Sequence, residues 1–131
     1  MKIATLIARN LLGLMFVIFG LNGFLHFLPQ PPHTGLALQY LSVLSASHYF
    51  TVVFLLQFVG GALLLANRFV PMALVLLGPV IVNILLFHIL MAPEGLPPGM
   101  LALVLWLVVF YGVRSAFAAV FQAQQRDSAA F

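Results

Sequence analysis

Residues 69–92 read FVPMALVLLGPVIVNILLFHILMA, a run of 24 residues without Asp, Glu, Lys or Arg. Coiled as an α-helix, such a run extends roughly 36 Å at 1.5 Å per residue, enough to cross a hydrocarbon layer about 30 Å thick. The chain around it offers no polar skin to cover it. Of 131 residues, 64% are hydrophobic and 5% are charged, whereas a soluble domain carries about a quarter charged residues. The surrounding solvent is therefore oil, and the run is a membrane span.

Three further apolar runs flank this one. The expected spans are 6–28, 48–67, 69–92 and 99–121, a single transmembrane domain covering 1–131. The first contains an uncharged core from Leu11 to Leu28 and reaches back past Arg9 and Asn10. Pro29, Pro31 and Pro32 end it, because proline supplies no backbone N–H and clashes with a continuing helix. Asn67, Arg68 and Pro71 mark a tight turn that makes the second and third spans a helical hairpin, and Pro93, Glu94, Gly95, Pro97 and Pro98 form the next break. The expected fold class is all-α: a polytopic membrane protein built as a four-transmembrane-helix bundle.

The five basic residues give the bundle a direction. Lys2 and Arg9 precede the first span, Arg68 lies between the second and third, and Arg114 and Arg126 lie at the far end of the fourth. Threading the spans puts all of them on one side, so the positive-inside rule predicts both termini in the cytoplasm. Arg9 lies 19 positions before Leu28, roughly 28 Å along a helix and thus at the inner edge. Arg114 is expected to snorkel to the same edge. Lys2 and Arg9 ahead of an apolar stretch resemble a secretory leader, yet 20–27 offers no small-x-small cleavage site, so the first span is expected to be retained. Residues 33–47 are too short and polar to cross; with Leu36, Leu38, Tyr40, Leu41 and Leu44 they are expected to form a short amphipathic helix along the outer surface.

Several classes of function are excluded by composition. There is no cysteine, which removes disulfides, CxxC redox pairs, thiolate metal sites and cysteine nucleophiles together. Glu94 and Asp127 fall on opposite sides and cannot act as paired carboxylates. No nucleophile or phosphate-loop motif occurs, and no basic run suggests a nucleic-acid surface. Four helices of this length leave little room for a pore and no charge lines their midplane, so passage of a small solute would require an oligomer.

What remains are polar residues inside hydrocarbon, where they are costly and mark function or specific packing. His26, His33, His48 and His88 all lie on the side opposite the arginines. Below them, Asn22, Gln57 and Asn83 sit on three different helices at depths of roughly 9 to 14 Å, and their amides could meet in the outer half of the bundle. Asn22 and His26 are four apart and share a helix face. Asn83 and His88 are five apart, about 140° of rotation, and cannot both face one centre unless the helix is irregular near Gly78 and Pro79. The candidate ligand-binding set is Asn22, His26, Gln57, Asn83 and His88, with no metal site: no H-x3-H or H-E-x-x-H spacing occurs. Bis-histidine haem ligation by His26 and His88 is an alternative resting on two residues alone. Gly13 and Gly20 form one stripe, and Gly60 and Gly61 flank the face of Gln57, so backbones are expected to approach closely there. Trp106 and the 13 phenylalanines are expected to face lipid or fill the core.

The string Arg9, Leu12, Gly13, Phe16, Gly20, Leu21, Asn22, Gly23, His26, Phe27, Pro29 resembles the DoxX family of small four-span membrane proteins. Gln57 to Gly61, Arg68-Phe69-Val70-Pro71 and Asn83 to His88 sit where that family has similar blocks, so the likeness covers nearly the whole chain. The resemblance implies a multi-pass protein of the bacterial inner membrane linked to redox metabolism. Relatives include the membrane subunit of a thiosulfate:quinone oxidoreductase, and others associate with enzymes of oxidative and thiol stress. It implies a quinone-like ligand or a partner redox enzyme; Asn22, His26, Asn83 and His88 match polar positions of the blocks. Two functions stay open: a redox accessory that binds a quinone in the outer half of the bundle, or a non-catalytic scaffold that anchors a partner enzyme; a homo-oligomer is compatible with either.

Overall fold

The computed structural model describes residues 2–29 and 32–123; Pro31, Arg126, Asp127 and most of the polar tail lie outside the described residues. Its helices are α1 (Lys2–Leu25), α2 (Gly35–Ala46), α3 (Tyr49–Ala66), α4 (Val70–Leu90) and α5 (Leu96–Gly112), with 3₁₀ turns at Pro93–Gly95 and Arg114–Phe121. Four segments are long and apolar enough to cross a membrane: α1, α3, α4, and α5 together with the turn before it. The protein is an all-α, four-helix membrane-spanning bundle. α1 packs on α3 and α5, and α4 closes the ring by packing on the same two helices. Leu14, Val52, Leu55, Val75, Val82, Leu86, Leu101 and Val104 point outward and are about half exposed. In water that surface would drive aggregation; in lipid it is the solvated surface.

The α1–α3 seam is made of main chain. A Cβ on Gly61 would stand 2.7 Å from the Gly13 carbonyl oxygen and 2.7 Å from the Val17 nitrogen, and one on Gly20 would stand 2.7 Å from the Phe58 nitrogen. Lipid supplies little hydrophobic drive between helices, so van der Waals contact at this spacing is what holds them. The expected glycine stripe is therefore the face that α1 presents to α3.

Helix ends are set by left-handed residues. α1 stops at Leu25, before the expected limit at 28, because His26 turns left-handed (φ 53°), its N–H still reaching the Asn22 carbonyl at 2.8 Å. Asn67 (φ 56°) and Phe69 (φ 52°) reverse the chain between α3 and α4, and the Arg68 N–H caps the Leu63 carbonyl at 3.0 Å. The last helix ends at Gly112 and does not continue to 121. Glycine weakens the helix there, and the chain turns so that Phe117 returns to the core, its ring 5.0 Å from Phe110.

Packing divides the bundle into two halves. Leu12, Leu64, Leu74, Leu77 and Val109 are fully buried and, with Phe117, fill the half next to Arg9, Arg68 and Arg114. Phe16 and Ile81 close this core at mid-depth. Beyond them, towards the histidines, the four helices separate around a space.

Candidate functional site

That space is a cavity of about 780 Å³ at the histidine end, bounded by all four spanning helices and by α2. A volume of this size suits a small organic ligand rather than a single water or ion. Phenylalanines stand on three of its walls: Phe16 and Phe19 from α1, Phe50 and Phe54 from α3, and Phe87 from α4. Phe50 and Phe54 stack with centroids 5.1 Å apart. Phe87 is stacked on Tyr40 of α2 at 5.7 Å and meets the edge of His33 at 5.8 Å, which fastens α2 and its approach to α4. Leu41 and Ser45 of α2 complete the wall.

Four of the five candidate residues line this cavity: Asn22, His26, Gln57 and His88. Asn22 is 8% exposed, and its Oδ1 accepts the Leu28 backbone N–H at 2.7 Å. The carbonyl half of that amide is thereby engaged in closing the end of α1, which leaves its Nδ2 protons for the cavity. His26 reaches the same cavity from the left-handed position just past the helix, so the pair meets through the turn and not through a continued helical face.

Gln57 is 6% exposed, faces the cavity from α3, and makes no side-chain hydrogen bond among the described residues. Its amide atoms open onto the cavity and are free to bond what enters it. Gly60, one turn on, lets Leu77 of α4 press against α3 just below, so the glutamine cannot withdraw in that direction.

His88 is oriented from behind. Its Nδ1 lies 3.1 Å from the Ala92 carbonyl oxygen, and since a carbonyl only accepts, Nδ1 carries the proton and donates. In the neutral ring Nε2 is then an acceptor. Gly95 makes room for the ring: a Cβ there would stand 2.4 Å from Cε1 and 2.6 Å from Nδ1. Phe87 meets the same ring edge-on at 5.0 Å.

Asn83 is not brought to this site. It lies exposed on the outer face of α4, and its Nδ2 donates back to the Pro79 carbonyl at 2.9 Å. The three-amide layer expected from depth alone does not form, because α4 runs as one helix through Pro79 and five residues of rotation carry Asn83 away from the side that His88 faces. His48, the left-handed N-cap of α3, is exposed and stands outside the cavity lining.

Several cavity residues escaped the sequence reading. His33 lines the cavity half-buried, and the exposed Thr51, Ser45 and Glu94 border it too. His33 follows a proline run, so no helical register connects it to the bundle. Trp106 packs against the core, as expected, and its indole N–H also donates to the Leu74 carbonyl at 3.0 Å, joining α5 to α4. A Cβ at Gly78 would meet the indole at 3.5 Å, an ordinary contact.

Chemically, the site combines a flat-sided aromatic slot with amide donors on one wall and an imidazole acceptor on another. Among the described residues no group of three His, Cys, Asp or Glu side chains could hold a metal ion. Comparison with family models, with curated proteins and with solved structures returns no match. What the fold shows is a four-helix, all-α membrane-spanning bundle.

Proposed function

We propose that this protein is a DoxX-type accessory of redox metabolism that binds a quinone-like ring in the cavity at the histidine end. The observation that carries the reading is Gln57: a nearly buried amide, unpaired among the described residues, facing an aromatic-walled cavity. A ring held between Phe19, Phe54 and Phe87 would take hydrogen bonds to one oxygen from the Gln57 amide and Asn22 Nδ2. Its other oxygen would lie towards His26 and His88. A quinone carbonyl needs donors and a quinol hydroxyl needs an acceptor, and a site with amide N–H groups and the His88 Nε2 lone pair serves both redox forms.

The alternative, that these polar residues only glue helices together, is disfavoured by their hydrogen bonds. Asn22 bonds to its own turn, Asn83 to its own helix, and Gln57 to nothing among the described residues. None of the three amides bridges two helices, which is what glue requires. The same reading places both termini in the cytoplasm of a bacterium, by the positive-inside rule, with the cavity in the outer leaflet of the inner membrane.

The test is a mass spectrum and a visible spectrum of the full chain extracted in mild detergent, followed by titration with a short-chain ubiquinone and a short-chain menaquinone. Wild type is expected to carry or bind one of them, and His26→Ala and Gln57→Leu to bind it at least tenfold more weakly. Equal binding by wild type and both variants, with no quinone in the extract, would overturn the proposal. A Soret band would replace the quinone with haem.

A further inference from the structure

At the opposite end of the bundle lies a second pocket, of about 390 Å³, formed where α1 begins and α5 ends. Lys2, Arg9 and Arg114 line it, and none of its lining residues is a carboxylate. The only described acidic residue, Glu94, is at the far end of the bundle. Among the described residues these cations have no carboxylate partner, so the pocket carries a positive charge that suits an anion.

Two of these cations are held in place. Arg9 donates through Nη1 to the Leu64 carbonyl at the end of α3, which leaves most of its five N–H groups unspent. Arg114 donates to the Tyr111 carbonyl at 2.6 Å, with its guanidinium 4.1 Å from the centre of the Tyr111 ring. Thr5 also lines the pocket; its Oγ1 is shut off from solvent and has no hydrogen-bond partner among the described residues. A hydroxyl in that position lacks an acceptor, and it stands in the first turn of α1, where backbone N–H groups are also free of helical partners.

We propose that this pocket binds the phosphate group of an anionic phospholipid. Phosphate oxygens supply acceptors for the guanidinium and ammonium groups at once. The lipid, in preference to a free anion, is indicated by the rim: Leu6 and Tyr111 line the pocket and are about half exposed on the hydrocarbon-facing surface. An acyl chain leaving the phosphate would lie against them. Basic pockets between helices at the cytoplasmic edge are suited to such headgroups.

The experiment is native mass spectrometry of the full chain in mild detergent, offered equimolar phosphatidylglycerol and phosphatidylcholine. Wild type is expected to retain phosphatidylglycerol preferentially, with the preference falling roughly fivefold for each cation removed in Lys2→Gln, Arg114→Gln and the double variant. Arg9 stays in all variants because it caps α3, and unchanged melting curves confirm that the bundle is intact. Equal retention of the two lipids by wild type, or an unchanged preference in the double variant, would overturn the proposal. Displacement of the lipid by millimolar inorganic phosphate would assign the pocket to a soluble anion and overturn the lipid.

Discussion

Asn22 Oδ1 accepts the backbone N–H of Leu28 at 2.7 Å, so one amide both closes the first helix and borders the cavity. Gln57, in the facing helix, borders the same cavity with no such structural task. The difference separates what substitutions at the two positions should do.

Gln57→Leu removes an amide that faces the cavity and keeps the volume. We expect stability to stay level, while quinone binding falls. Asn22→Ala should lose about 1 kcal/mol of stability and also bind less. Thermal melts of both, with and without added quinone, check the pair. A destabilised Gln57→Leu would mean that its amide holds helices together after all.

Gly95→Ala places a methyl carbon where the His88 ring now stands, 2.4 Å from Cε1. The ring must swing out, and its bond to the Ala92 carbonyl breaks. The expected result is quinone binding reduced about as far as in His88→Ala, with no further loss in the double variant. An altered imidazole signal in the NMR spectrum of the single variant would report the displacement directly.

At the α1–α3 seam Gly61→Ala has only backbone to push against, and main chain does not yield as a side-chain tip does. Overpacking of this kind costs about 1–3 kcal/mol or more. Gly78→Ala is the contrasting case, since its nearest neighbour is the Trp106 ring at 3.5 Å. It should be neutral or gain up to about 1 kcal/mol from helix propensity. Melting curves of the two in the same detergent decide the matter.

Trp106 is the single tryptophan, so fluorescence reads the α4–α5 contact without interference. Trp106→Phe deletes the hydrogen bond to the Leu74 carbonyl and should cost about 1 kcal/mol. In wild type the emission should be blue-shifted and poorly quenched by iodide.

Because the chain has no cysteine, a single introduced thiol reports topology unambiguously. Gln39→Cys in α2 should react with an impermeant maleimide on intact cells, and Gln122→Cys only after lysis. The reverse pattern would invert the proposed orientation.

The helices were legible because each is a long apolar run closed by proline, asparagine or glycine. The close α1–α3 seam could be read from glycines seven apart. Where α5 ends was not legible, since residues 113–121 remain apolar enough to extend a span and only the return of Phe117 to the core shows the break. Of the site, Asn22, His26, Gln57 and His88 were visible as polar side chains in hydrocarbon. Asn83 carries the same chemical signal yet faces outward, because its donor is answered by its own helix at Pro79. Sequence depth could not distinguish the two fates; rotation about the helix axis could, and the 140° between Asn83 and His88 already contained that information. His33 had no such handle, since its place depends on how α2 folds back over Phe87.

The contact of Gly13 and Gly20 with the third helix has a mechanical meaning. Where peptide planes touch directly there are no rotamers to reshuffle, and that side of the bundle behaves as a stiff post. Any breathing needed to admit a guest must be taken up on the opposite side, by the short surface helix and by the aromatic stack through which it leans on the fourth.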